Sequence, residues 1–237
     1  GSVASIRDRL GANVAPIQIP IGIEHGLYGV VDLVSSKAYT YKGIEDNELV
    51  EEEIPEELVE TAKKYRVQLI EKVSEFSDET LRKFLEGVEP SVEELKAAIR
   101  AGVVSGKFFP ILGGDNRTAT VRLLLDAVVE YLPSPVDLPA VEGKNPQTGE
   151  LETRERTTEA PFCALAFKAI TDPHVGRLVY LRIYSGHLSA GQGVYNTTKR
   201  TSERIGKLVL LHADQRELIQ DAYAGEIVAA VGVKETT

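Results

Sequence analysis

Four histidines and one cysteine are the side chains best able to hold a metal or attack a substrate, and their spacing supports neither. His25, His174, His187 and His212 are scattered, and none stands at ligand spacing with a cysteine or carboxylate. His174, in TDPHVGR, reads as a turn residue. Cys163 lies in the apolar run PFCALAFKAI, so it is expected as a strand thiol rather than a nucleophile. A lone cysteine also excludes an internal disulfide framework and fits a reducing cytosol. No GxSxG, HExxH, CxxC or calcium-loop pattern occurs. A nucleotide hydrolase needs GxxxxGK[ST], whose backbone amides and lysine cradle the phosphates, together with a metal-holding acid. The sequence has no such stretch. The chain is therefore predicted to hydrolyse no nucleotide, and no catalytic residue or metal ligand is assigned.

The stretch with ligand-holding geometry is FPILGGDNRTATVRLLLDAVVEYLPSP, residues 109–135. It reads as an apolar strand, a loop built on Gly113, Gly114 and Asp115, and an amphipathic helix stopped by prolines. Such a loop, after a strand and before a helix, is where α/β folds tend to hold ligands. The helix is predicted from about Thr120 to Leu132, with Val121, Leu124, Leu125, Val128 and Val129 against a core.

The elements around it follow from periodicity and punctuation. Residues 3–11 read as a helix tail stopped at Gly11, 14–22 as strand, and 27–43 as a hairpin. After the acidic stretch, Leu58, Ala62, Tyr65, Leu69, Val73 and Phe76 share one helical face. A short helix closes at Gly87. A third starts with Ser91 and Glu94 at capping-box spacing, with Gly102 as the expected C-cap. Residues 133–161, rich in Pro, Gly and Thr, read as a connection with a small hairpin at Gly149. Beyond it the apolar period becomes two: Val179, Leu181 and Ile183 share a face, and short strands with glycine turns predict a small closed barrel.

Charge is uneven. The net charge is −9, yet residues 161–237 carry nine Lys/Arg against seven Asp/Glu. EDNELVEEEIPEELVE, residues 45–60, holds nine acids and no base, and reads as a solvated face or a patch for a basic partner. This acidity argues against wrapping duplex DNA but leaves room for a local contact between a basic barrel edge and RNA. No apolar run reaches the length of a membrane helix. The Gly-Ser start and the absence of methionine suggest a tagged piece of a longer protein.

Long runs make the sequence recognisable. IRDRLGANVAPIQIPIG, then GVVDLV, LLDAVVEYLPSPVDLPAV, APFCALAFKAITDPHVGRLVYLRIYSG, RIGKLVLLHADQRE and AYAGEIVAAVGVKETT resemble bacterial elongation factor G. The resemblance implies an internal fragment starting after the guanine-recognising segment. Residues 3–134 would be the C-terminal part of an α/β GTPase domain, including its α+β insertion at about 19–107. Residues 135–149 would be a linker, and 150–237 the all-β second-domain barrel. The parent would be a cytoplasmic translocation GTPase using GTP and Mg²⁺, while the fragment itself holds no cofactor. Implied partners are the ribosome, through small-subunit rRNA at the barrel and a ribosomal stalk protein at the insertion, and the parent's remaining domains; membrane and DNA are not among them. A ribosome-binding paralogue with lost or altered GTP use and a ribosome-protection factor are the alternatives.

The loop departs from the family pattern. The family has Gly-Ser-Ala beside the guanine base; here Gly113 matches, but Gly114 and Asp115 replace Ser-Ala. No nucleotide role is carried to those two. The Asp115 carboxylate would either oppose the acceptor oxygen of guanine or cap the helix. Leu218 stands where the family usually has glutamate. From charge and loop placement alone, Arg177, Lys199, Arg200 and Arg204 are the candidates for rRNA phosphates.

Overall fold

The computed structural model describes residues 2–42, 48–115, 118–172, 176–213 and 215–236. His174 and part of the acidic stretch, residues 45–47, lie outside the described residues. The chain divides into two compact units, Gly1–Pro133 and Ser134–Thr237.

The first unit is mixed α/β. Helix α1 (Ser2–Leu10) ends where Gly11 turns left-handed, φ 61°, and β1 (Val14–Pro16) follows. β2 (Gln18–Ile21), β3 (Gly29–Asp32), β4 (Lys37–Thr40) and β5 (Val50–Glu52) form an antiparallel sheet in that order. The β3–β4 turn is set by Asp32, whose carboxylate accepts the amides of Val34 at 2.7 Å and Ser35 at 2.9 Å. Three helices follow, α2 (Glu56–Ser74), α3 (Asp78–Glu86) and α4 (Val92–Val104); α2 and α4 share one apolar core with the sheet, and α3 packs on both helices. Arg66 of α2 ties them to the β3–β4 turn by donating to the carbonyls of Leu33 and Val34. β6 (Phe109–Ile111) then pairs parallel with β1, Ala15 opposite Pro110, and α5 (Val121–Tyr131) closes the unit.

Sequence periodicity located the α2 stripe: Ala62, Leu69 and Val73 are buried, and Leu58, Tyr65 and Phe76 pack on the same core. The Ser91–Glu94 capping box is present in both directions, and Gly87 is a left-handed C-cap. Two expectations fail. Gly102 is an interior residue of α4, which runs on to Val104; a Cβ there would meet Phe76 and Phe108 at 2.7–2.8 Å, so glycine serves close packing. On α5 the expected core residues Val121, Leu124, Leu125, Val128 and Val129 are exposed, while Ala127 and Tyr131 face the core. The helix is apolar on two sides, and this unit covers only one.

The second unit is antiparallel. A hairpin of β7 (Val141–Lys144) and β8 (Leu151–Arg154) turns at Gly149, φ 77°. Next come the long strands β9 (Cys163–Asp172) and β10 (Gly176–Ser185), then β11 (His187–Ser189), β12 (Gly193–Asn196) and β13 (Thr201–Arg204). β14 (Lys207–His212), β15 (Gln215–Ile219), β16 (Asp221–Tyr223) and β17 (Ile227–Val231) complete it. The main sheet has the order β15-β14-β17-β10-β9, with ribbons β11–β16 and β12–β13 beside it. Val179, Leu181 and Ile183 point into one core with Leu188, Ile205, Leu208 and Val228, as the two-residue period requires.

Candidate functional site

The loop after β6 is closed by two threonines. Thr120 Oγ1 accepts the Asp115 amide at 3.1 Å and donates to the Asp115 carbonyl at 3.1 Å. Thr118 Oγ1 lies 2.8 Å from Thr120 Oγ1 and donates to the same carbonyl at 3.0 Å. Gly114 makes this closure possible, because a Cβ there would lie 2.9 Å from Thr120 Oγ1. Thr120 occupies the N-cap position of α5 without a side-chain cap hydrogen bond. Gly113, Gly114 and Asp115 border a hollow of about 210 Å³ with Gln18, Leu112, Thr120, Val121 and Leu124. The Gln18 side chain, on a residue 6% exposed, lines it.

Among the described residues, no side chain lining this hollow offers a cation to a phosphate. Its described lining contains one carboxylate and no lysine or arginine, and the Asp115 amide that would face a base is held by Thr120. A polyanion needs backbone amides and cations pointed at it.

In the second unit the four sequence candidates fall into two settings. Lys199 and Arg200 sit at the exposed tip between β12 and β13, where Asn196 Oδ1 accepts the Lys199 amide at 2.9 Å and Arg200 has φ 54°. Arg204, at the far end of β13 opposite Gly193, donates through Nε to the Gly191 carbonyl at 2.7 Å and is otherwise exposed. Arg177 is turned to structure: its guanidinium donates to the carbonyls of Lys234 at 3.1 Å and Thr236 at 2.6 Å.

Sequence reasoning missed the residue opposite Arg177 in this arrangement. Glu203, on β13, accepts the amides of Lys234 (2.9 Å), Glu235 (2.7 Å) and Thr236 (3.3 Å), the Thr236 hydroxyl (2.6 Å) and Asn196 Nδ2 (3.1 Å). Residues 234–236 are thus gripped by an anion at their amides and a cation at their carbonyls. Partial burial alone would raise the Glu203 carboxyl; the hydrogen bonds from Thr236, Asn196 and the amides of Glu235 and Thr236 outweigh it and bring the pKa down to about 2. No sequence signal separates this glutamate from its neighbours, because all its donors but Asn196 lie more than thirty residues away.

A groove of about 530 Å³ runs between the β7–β8 hairpin, Cys163–Ala166 of β9, and β12. Its floor is apolar, including Val194, Ile205 and Val233, and Lys199 stands at its rim. Cys163 is half-buried there. Among the described residues no group of three His, Cys, Asp or Glu is placed to hold a metal, and no helix is long and apolar enough to cross a membrane.

Residues 161–237 match the family model for elongation factor G domain 2. The second unit is thus similar to domain 2 of elongation factor G. Over 97% of its length it is also similar to a crystal structure of a protein from Thermus thermophilus, at 28% sequence identity and a TM-score of 0.69, and it spans 31% of that chain. The antiparallel second unit is consistent with the elongation factor G second-domain barrel, and the first unit is mixed α/β.

Proposed function

We propose that this chain is a portion of a cytoplasmic, ribosome-associated translation factor of the translocation type. The observation that carries the reading is the match of residues 161–237 to elongation factor G domain 2, within a fold similarity that extends over both units. The second unit docks on small-subunit rRNA through the exposed ribbon cations Lys199, Arg200 and Arg204, which offer charge to phosphate without sequence selectivity. Arg177 acts indirectly by holding residues 234–236 beside that ribbon. In the first unit the four-stranded sheet and helices α2–α4 form an insertion facing the ribosomal stalk. β1, β6 and α5 belong to a larger α/β nucleotide domain, and the bare face of α5 supports this, since parallel strands with so little cover are rarely complete. GTP and Mg²⁺ belong to the parent protein, and this chain binds neither by itself.

The test is co-sedimentation of the 237-residue chain with purified small ribosomal subunits at 50 and 200 mM salt. Binding that falls steeply with salt, and that the triple variant K199Q/R200Q/R204Q loses, is expected. No co-sedimentation at the lower salt defeats the reading.

A second reading, a ribosome-binding paralogue with altered nucleotide use, is favoured by one observation: the threonine-closed Gly113–Asp115 loop. Ribosome-stimulated GTP turnover by the parent protein at a rate typical of translocases would remove it.

A further inference from the structure

Strands β9, β10 and β17 are neighbours in the main sheet. Val179, Leu181 and Ile183 point into one core, so Tyr180 and Arg182 lie on the opposite face, half-buried beside the smaller buried cluster of Leu178, Val209 and Ala229. Lys168 of β9 lies directly opposite Tyr180 in register. Its ammonium is 5.6 Å from the centre of the Tyr180 ring. The Phe167 ring, on a residue 50% exposed, lies 6.2 Å from the same ring and is tilted by 53°. Along β10, the Tyr184 ring carries the Arg156 guanidinium at 5.2 Å.

The charge on these strands has one sign. Residues 163–171, 176–185 and 227–231 contain Lys168, Arg177 and Arg182 and no acid, in a chain of net charge −9. Asp172, just beyond, is engaged by Arg216. No described hydrogen bond or ion pair joins Lys168 or Arg182 to a carboxylate. A face that combines cations without counter-charges and partly exposed aromatic rings has two things to offer a ligand: phosphate neutralisation and flat apolar surface.

We infer that this face of β9 and β10 binds single-stranded RNA, with Lys168, Arg182 and Arg156 on the phosphates and the exposed Phe167 ring as the stacking surface. Naming RNA rests on the translation-factor reading; the phosphate and stacking chemistry does not. An acidic peptide would satisfy the cations but leave the rings without a planar partner. A duplex would keep its bases stacked away from them.

The experiment measures fluorescence anisotropy of a labelled 20-nucleotide unstructured RNA against the whole 237-residue chain at 50 mM salt, with polyglutamate as competitor. We expect the double variant K168Q/R182Q to weaken binding at least fivefold. F167A, which leaves charge untouched, should weaken it about fivefold through lost stacking and reduce the quenching of a 2-aminopurine placed in the RNA. Circular dichroism melting of each variant checks that the fold is kept. Affinities within twofold of the parent for both variants, or displacement of the RNA by equimolar polyglutamate, overturn the proposal. Subunit sedimentation separates it from the docking reading. If K168Q/R182Q and F167A lose the RNA while the chain ignores small subunits, this face stands and the docking reading falls. If the chain sediments with subunits and the two variants change nothing, the reverse holds.

Discussion

Asp172 and Arg216 join the two edge strands of the main sheet. Asp172 ends β9 and Arg216 stands on β15, and their carboxylate and guanidinium meet in two parallel hydrogen bonds, 3.2 and 2.5 Å. These strands occupy opposite ends of the five-stranded order, so the contact draws the sheet round towards a closed barrel. Asp172 is 7% exposed and Arg216 40%, so one partner is desolvated and the other is not. R216A is expected to destabilise the second unit by roughly 1–3 kcal/mol, below the range for a fully buried pair because water reaches the guanidinium side. Urea melts of R216A, D172N and the double variant should show non-additive losses. Additive losses would mean that the pair does not join the edges.

Glu203 predicts a pH response. Its carboxyl is held down to about 2 in the folded chain, below the ordinary glutamate value of 4.5, by the donors that outweigh its partial burial. A depressed folded pKa contributes stability that is fully present above the unfolded value and lost as pH falls through the folded one. The gain from Glu203 should therefore be complete at pH 6–7, start to fall near 4.5 and vanish near 2. E203Q should have a lower urea midpoint than the parent at pH 7, and the two midpoints should converge as pH drops below 3. A difference that stays constant from pH 7 to pH 2.5 contradicts the clamp.

Gly102 shows how a sequence signal can name the right residue and the wrong job. A glycine near the end of an apolar helix is ordinarily a stop. Here α4 continues for two residues past Gly102, and the left-handed turn is made by Gly106, φ 69°. What fixes Gly102 is Phe108, from the segment leading into β6, and the ring of Phe76, from the turn after α2, which no local window contains. Alanine would gain up to about 1 kcal/mol of helix propensity but must displace ring and backbone-adjacent atoms, at roughly 1–3 kcal/mol. G102A should therefore be net destabilising in urea, and a stabilised G102A would show that the rings move freely.

What was legible in the sequence was what local chemistry decides. The Ser91–Glu94 box, the Gly11 and Gly87 stops, the α2 stripe and the inward row Val179, Leu181, Ile183 each depend on residues within one or two turns or on a strict alternation. The long-range pairs were not legible. Glu203 finds its donors at 234–236, Asp172 finds Arg216, and Arg177 turns from candidate anion binder to holder of two carbonyls. The Gly114–Asp115 departure was visible, but its consequence, a loop tied by Thr118 and Thr120, needed the fold.

Helix α5 supplies the last test, because periodicity gives a stripe and not the surface it meets. Leu125 and Val129 lie one turn apart, and Val129 is 83% exposed, while Ala127 and Tyr131 on the other side hold the helix to the core. A charged residue at an exposed position with no contacts to lose changes stability by no more than about 0.5 kcal/mol. V129K in the 237-residue chain should therefore melt with the parent, whereas Tyr131→Ala should lose roughly 3 kcal/mol or more by emptying a core site. The exposed stripe should also make the parent chain bind the apolar-surface dye anilinonaphthalene sulfonate, and L125K/V129K should reduce that signal without changing the melt. A V129K chain that unfolds early would mean that this face is already covered within the chain, and the larger α/β layer invoked for it would lose its support.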